Sequence, residues 1–217
     1  MKDFVNVGLL GAGTVGGGVL KVLEKNAEKI AKEAGKPVRI TKVLDRHVDR
    51  LKQEYGDKYI FTDNADEVLE DKDIDIIVEL LGREHPAKEF IARAFANGKH
   101  VVTANKDVLA KFGAELFPLA HEHNCDFMFE ASVCGGIPII GPLKTSMAAN
   151  QITSIMGIVN GTTNFMLTKM VREGLDFEDA LHIAQELGYA EADPSADIDG
   201  DDIRRKLCIS AKIAFDA

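Results

Sequence analysis

The chain has 217 residues, 46% hydrophobic and 28% charged, the balance of a soluble globular protein with length for one large or two modest domains. A formal net charge of −9 with no cluster of Lys and Arg argues against a nucleic-acid surface, and no apolar run approaches the roughly 18 residues that span a bilayer. Cys125, Cys134 and Cys208 lack C-x-x-C spacing, which disfavours a disulfide framework or a zinc site and suits a reducing cytoplasm. No signal peptide is visible before the first apolar run, and His121 and His123 lie on different faces of a helix, so they do not make a metal pair.

An apolar run at Val5–Leu10 breaks into Gly11, Gly13, Thr14, Val15 and Gly16, then resumes with Val19, Leu20, Val22 and Leu23 at helical spacing. Strand, tight turn and helix in that order form a dinucleotide fingerprint. Gly11 permits the turn, Gly13 lets the backbone approach a pyrophosphate, Gly16 lets the helix pack on the strand, and the helix N-terminus offers N–H groups to the phosphates. The glycine pattern alone is a weak signal, with a glycine-rich hairpin that binds nothing as the alternative. Gly35 and Pro37 end the helix, and Val38–Leu44 predicts a second strand closing on Asp45, Arg46 and His47, where such folds meet the adenosine ribose. Residues 59–61 read as a short extended piece, 64–69 as a short helix capped by Asp63 or Asn64, and 74–79 as a strand bounded by Gly82. Pro86 opens a helix carrying Phe90, Ile91, Ala94 and Phe95, which Asn97 and Gly98 close. A strand at His100–Thr103, a helix over 107–122 and a strand over 127–129 follow. Residues 1–130 thus alternate strand and helix, which implies an α/β fold with a doubly wound, parallel, Rossmann-type sheet.

The pattern changes at residues 130–138, where Gly135, Gly136 and Pro138 mark a hinge into a second domain over 131–217, part of an α+β unit. There the spacing predicts a helix over 139–149, a strand over 152–159 and a helix capped by Thr162. A helix over 177–187 and an acidic loop with Glu191, Asp193, Asp197 and Asp199 come next. A helix then runs from Asp201 to the last residue without a Gly or Pro stop, so the reading expects a longer parent chain.

Asp202 and Lys206 lie four apart on that last helix, hence on one face. An ordinary surface ion pair is the plain alternative, but the acidic loop leads straight into this pair. A cationic Lys206 can donate a proton to an alkoxide that forms when hydride reaches a carbonyl, with Asp202 orienting it. Lys106 follows a strand at its carboxyl end, where ligands of open α/β sheets bind, and a solvated lysine at a helix start is an equal reading.

These residues together resemble homoserine dehydrogenase. The resemblance runs through Gly8-Leu-Leu-Gly-Ala-Gly-Thr-Val-Gly16, Ala104-Asn-Lys106, Glu130-Ala-Ser-Val-Cys-Gly-Gly-Ile-Pro-Ile-Ile140, Gly157-Ile-Val-Asn-Gly-Thr-Thr-Asn-Phe165, and Gly188-Tyr-Ala-Glu-Ala-Asp-Pro194 with Asp202 and Lys206. It implies an NAD(P)-dependent oxidoreductase interconverting L-aspartate 4-semialdehyde and L-homoserine, in threonine and methionine biosynthesis. Lys206 is then similar to the family's proton-transferring lysine, Asp202 to its partner, and Lys106 to a second lysine near the reacting carbon. Glu191 resembles the residue holding the substrate amino group, with Tyr189, Asp197, Gly161 and Thr162 at other substrate-contacting positions. The carbonyl oxygens of Glu130, Val133, Gly135 and Ile137 are similar to a monovalent cation site for sodium or potassium. A cytoplasmic homodimer, with no nucleic-acid or membrane partner, completes what the resemblance implies. Two departures stand out. The family's catalytic region, and in many members a regulatory domain, continue past residue 217. Asp45 also precedes Arg46 where an apolar residue is common, so both NAD and NADP are expected to work, with NADP modestly favoured. The rival readings are a non-catalytic module that binds or senses a dinucleotide, and a related amino-acid dehydrogenase; neither a binder nor a sensor needs Glu191, Asp202 and Lys206.

Overall fold

The computed structural model describes residues 2–215 and divides into two compact units, with the boundary after Ser132. The first unit holds one sheet. Its strands are β1 (Val5–Leu10), β2 (Val38–Leu44), β3 (Ile60–Thr62), β4 (Ile76–Glu79), β5 (His100–Thr103) and β6 (Phe127–Met128). They lie in the order β3-β2-β1-β4-β5-β6, and every pairing is parallel. Parallel neighbours need crossovers, which α1 (Thr14–Lys25), α2 (Ala27–Ala34), α3 (Val48–Tyr55), α4 (Asp66–Leu69), α5 (Ala87–Ala96) and α6 (Lys106–Glu122) supply. The strand order reverses between β1 and β4, so the crevice of such a sheet opens at their carboxyl ends.

β1 is central, and Asn6 to Leu10 are all buried, which is why it reads as a continuous apolar run rather than an alternating one. Leu9, Leu20, Val43 and Leu51 form the core between β1, β2 and their helices. At the other edge Phe95, Phe117, Phe127 and Phe129 pack ring to ring, with centroids 5.2 to 5.7 Å apart. Three local readings change here. The single helix expected before Gly35 is two, divided at Asn26, whose backbone N–H caps α1 on the Val22 carbonyl. Helix α3, which packs Leu51 into the core, carries too polar a surface to stand out as a periodic segment. Asn105, not Asp107, opens α6: its side chain accepts from the Val108 N–H at 3.2 Å.

The second unit carries a π-helical turn (Pro142–Ser146) and helices α7 (Gly161–Glu173), α8 (Phe177–Glu186), α9 (Ser195–Ile198) and α10 (Asp201–Phe215). Met166 of α7 packs on Ala180 and Ala184 of α8, where small residues let the two helices approach. The helix expected over 139–149 shrinks to a short stretch around the π turn. The strand expected over 152–159 is not formed among the described residues; Met156 is 98% and Ile158 78% exposed there. A strand is defined by its ladder bonds, and apolar β-branched composition cannot supply a neighbour. The last two residues of the final helix as read from sequence lie outside the described residues.

The tightest point of the first unit is the glycine turn. Gly11 sits at φ +93, and a Cβ on Gly16 would lie 2.0 Å from the Gly11 carbonyl oxygen, a backbone atom that cannot rotate away. Gly16→Ala should therefore cost about 2 kcal/mol net, since overpacking against backbone outweighs the roughly 1 kcal/mol that alanine gains in a helix. A urea midpoint equal to wild type would refute this.

Candidate active site

In the first unit, a cleft of about 530 Å³ opens at the carboxyl ends of β1, β2 and β4, lined among others by Gly11, Gly13, Asp45, Arg46, Arg50 and Leu80. Gly11 begins the turn with its N–H on the Leu44 carbonyl at 2.8 Å, and Thr14, Val15 and Gly16 form the first turn of α1. The first N–H groups of a helix have no intrahelical acceptor, so this end attracts a phosphate. Gly13 is the N-cap, and a Cβ there would meet no protein atom within 4 Å, so packing does not require its glycine. The residues present fit a dinucleotide.

Asp45 is tied to the backbone on both sides. Its Oδ2 accepts from the Ala12 N–H at 2.9 Å and its Oδ1 from the His47 N–H at 2.8 Å, so the carboxylate clamps the glycine turn to the end of β2. Burial alone would raise the Asp45 carboxyl, but these two N–H bonds and the charges of His47 and Arg50 outweigh it and hold it below the ordinary value. Arg46 and His47 are exposed beside it, and both line a neighbouring hollow of about 610 Å³ together with Arg50 and Lys52. Arg50 also reaches the Ala12 carbonyl at 3.4 Å. Cationic groups therefore gather just beyond a carboxylate tied to the backbone through both of its oxygens.

Glu79, wholly buried at the end of β4, has no counterpart in the sequence reading beyond its place in a strand. Its Oε1 accepts from the Leu81 N–H at 2.8 Å and its Oε2 from the Thr103 hydroxyl at 2.6 Å. Thr103 in turn accepts from the Asn105 N–H at 2.9 Å, and Asn105 donates to the Arg83 carbonyl at 2.9 Å. This network ties the segment after β4, which lines the cleft, to the start of α6, where Lys106 is the first residue. Burial lifts the Glu79 carboxyl above its ordinary value, against the bonds from Thr103, Leu81 and Asn105 that favour its charge.

The second unit brings four polar residues together. Lys206 Nζ meets Asp202 Oδ2 at 2.7 Å and donates to the Val159 carbonyl at 2.7 Å. Asn160 donates from Nδ2 to the same Asp202 oxygen at 2.9 Å and to Asp197 Oδ1 at 2.8 Å. Asp202 is buried and Lys206 half-buried, whereas Arg204 and Arg205 on the same helix turn to Asp201. Gly161 is the first residue of α7. Thr162 is not the cap that its type suggested; Asn160 is, and the buried Thr162 hydroxyl instead donates to the Tyr189 carbonyl at 2.7 Å. The Tyr189 ring is exposed and stacks on Phe165, centroids 4.4 Å apart and planes at 18°. Glu191 is exposed, with its carbonyl accepting from Gln185 Nε2 at 3.2 Å. Asn160 and Glu79 are thus what the sequence reading missed. An Asn directly before Gly161 and two threonines is a cap signal that would have pointed to the first; nothing local marks the second.

Of the remaining expected site residues, Glu130 lies in a short 3₁₀ turn of the first unit. Val133, Gly135 and Ile137 fall on a turn of the second, closed by the Ile137 N–H on the Cys134 carbonyl at 2.8 Å, with Cys134 and Gly136 at positive φ. No helix among the described residues is long and apolar enough to cross a membrane.

Comparison with known proteins accords with this arrangement. Residues 11–130 match the family described as homoserine dehydrogenase, NAD binding domain, and residues 138–217 match that described as homoserine dehydrogenase. A homoserine dehydrogenase of Neisseria gonorrhoeae is 48% identical over 211 residues, covering 97% of this chain and 48% of the relative. The crystal structure of a homoserine dehydrogenase from Thiobacillus denitrificans superposes with a TM-score of 0.92 at 48% identity, covering 97% of this chain and 49% of that one. A hyperthermophilic archaeal homoserine dehydrogenase in complex with NADPH superposes with a TM-score of 0.85 at 31% identity, covering 97% and 70%. The chain spans about half the length of the curated relatives it matches.

Glu79 leaves a signature in the pH dependence of stability. Because its folded pKa is raised above the ordinary 4.5, its contribution is complete below that value and is lost as pH rises through the folded pKa. The stability of wild type relative to Glu79→Gln should therefore fall from acid towards neutral pH in urea unfolding. A difference independent of pH would contradict this account of the buried carboxyl.

Proposed function

Since the chain belongs to the homoserine dehydrogenase family, we propose that the protein of which it is part interconverts L-aspartate 4-semialdehyde and L-homoserine with NAD(P)H, on the route to threonine and methionine. The observation that carries the reading is the buried Asp202 bonded to Lys206, in a chain that also has the glycine turn. When bound, the nicotinamide supplies the hydride that adds to the aldehyde carbon. The chain's own residues do the rest. Gly11, Gly13, Thr14, Val15 and Gly16 hold the pyrophosphate at the helix N-terminus. Lys206 donates a proton to the carbonyl oxygen as it gains negative charge, and takes it back in the reverse direction. Asp202 keeps the lysine aimed. Lys106 supplies a second cation near the reacting carbon, while Glu191 takes the substrate amino group and Tyr189, Asp197, Gly161 and Thr162 frame it.

Arg46 is the group that meets the 2′-phosphate of NADP, since it stands exposed beside the cleft with Arg50 and Lys52 close by, while the backbone N–H groups of Ala12 and His47 hold the Asp45 carboxylate. NADP is then the favoured cofactor, and NAD remains usable. A sodium or potassium ion on the carbonyl oxygens of Glu130, Val133, Gly135 and Ile137 belongs to the same reading, since hard oxygen donors suit such an ion. So does a cytoplasmic homodimer, which the family resemblance implies; apolar side chains such as Met156, Ile158 and Val171 stand exposed in the second unit, where a dimer partner or the rest of the parent chain would cover them.

The direct test is loss of NADPH absorbance with aspartate semialdehyde, on this chain and on the full-length protein. In the full-length protein, Lys206→Ala should lower turnover by about 10² to 10⁴-fold while NADPH binding persists. Near-wild-type turnover would remove Lys206 from its role. Arg46→Ala should raise the KM for NADPH by about 10-fold or more, the worth of a charge-assisted bond, and leave that for NADH nearly unchanged. Equal effects on the two cofactors would mean that Arg46 does not read the phosphate.

A further inference from the structure

Asn160 has four hydrogen-bonding positions on its side chain, and all four are used. Its two N–H bonds go to Asp197 and Asp202, and its oxygen accepts from the Thr163 N–H and the Thr163 hydroxyl, both at 2.8 Å. The residue is 5% exposed. Such an amide has one orientation only, because a flip would set its oxygen against two carboxylates and its NH₂ against an N–H. The Asp202 oxygen that it holds is the one that meets Lys206, so that oxygen is pinned between an amide and an ammonium. The other bond of Lys206 goes to the carbonyl of Val159, the residue just before Asn160. One corner of backbone, residues 159 and 160, therefore holds both ends of the ion pair.

We propose that Asn160 is the positioning residue of this pair: it fixes Asp202, and through Asp202 the direction of the Lys206 ammonium, while capping α7. For its kinetic consequence the inference rests on the dehydrogenase reading above. Without the amide, the Asp202 oxygen that meets Lys206 loses a partner that fixes it, and the ion pair loses its anchor to residue 160. The hydrogen bond to Val159 and the ion pair with Asp202 hold the ammonium from two sides, so its direction depends on both. Misplacement of about 1 Å is enough to slow a reaction 10²-fold.

The plain alternative is that Asn160 only caps a helix. Asn160→Ser and Asn160→Gly separate the two, because both cap a helix nearly as well as Asn, yet neither can donate to two carboxylates. In the full-length protein, both variants should melt close to wild type. Turnover should fall by about 10 to 100-fold, with the KM for NADPH unchanged. A second measurement needs no activity. Acetylation of Lys206 by acetic anhydride, followed by peptide mass spectrometry with Lys169 as internal reference, should be several-fold faster in Asn160→Ser once the ammonium is released. Wild-type turnover in Asn160→Ser, unchanged Lys206 labelling, or collapse of the melting temperature in both variants would each overturn the proposal. If wild-type protein proves inactive on aspartate semialdehyde, the dehydrogenase reading fails by itself, and the labelling result alone then upholds or overturns the tether.

Discussion

The seating of α1 on the central strand depends on one close approach of backbone, that of position 16 to the Gly11 carbonyl. Helix α1 can leave β1 at its observed angle only if position 16 has no side chain, because a Cβ there would stand 2.0 Å from the Gly11 carbonyl. That approach seats α1 on the central strand and points its N-terminus into the crevice made by the reversal of strand order. Asp45 secures the same turn from the far side, reaching across from β2 to the Ala12 N–H. The carboxylate at the end of β2 thus braces the glycine loop.

The two polar centres share a design. Glu79 in the first unit and Asn160 in the second are buried, sit at the end of a segment, and bond to groups from more than one part of the chain. A buried polar group left short of partners is costly, so one whose positions are filled from several directions holds those directions together. Glu79 links the ends of β4 and β5; Asn160 links the start of α7 to α9 and α10. In each case the ionisable residue of interest, Lys106 or Lys206, is next to or bonded into the network rather than its centre.

The glycine turn, the parallel alternation and the Asp202–Lys206 pair were legible because each is written in local spacing: a fixed glycine interval, periods of two and 3.6, and an i,i+4 step along one helix. Residues 152–159 show where that logic stops. Their composition is that of a strand, but a strand needs neighbours, and none pairs with them among the described residues. Thr162 was read as a cap on its type alone, while Asn160, two residues earlier, had the better geometry.

The sequence by itself determined the class of fold, the turn that admits a phosphate, and which acid and lysine share a helix face, since all of these follow from residue type and interval. Only the tertiary structure decided which polar atoms meet. Each oxygen of Asp45 accepts a backbone N–H, from Ala12 and from His47, which its place after a strand does not announce. Asn160 could have been one more loop asparagine, but Asp197 and Asp202 converge on it from 37 and 42 residues away. A hydrogen bond depends on distances and angles that only the folded chain sets, and no interval along the sequence encodes them.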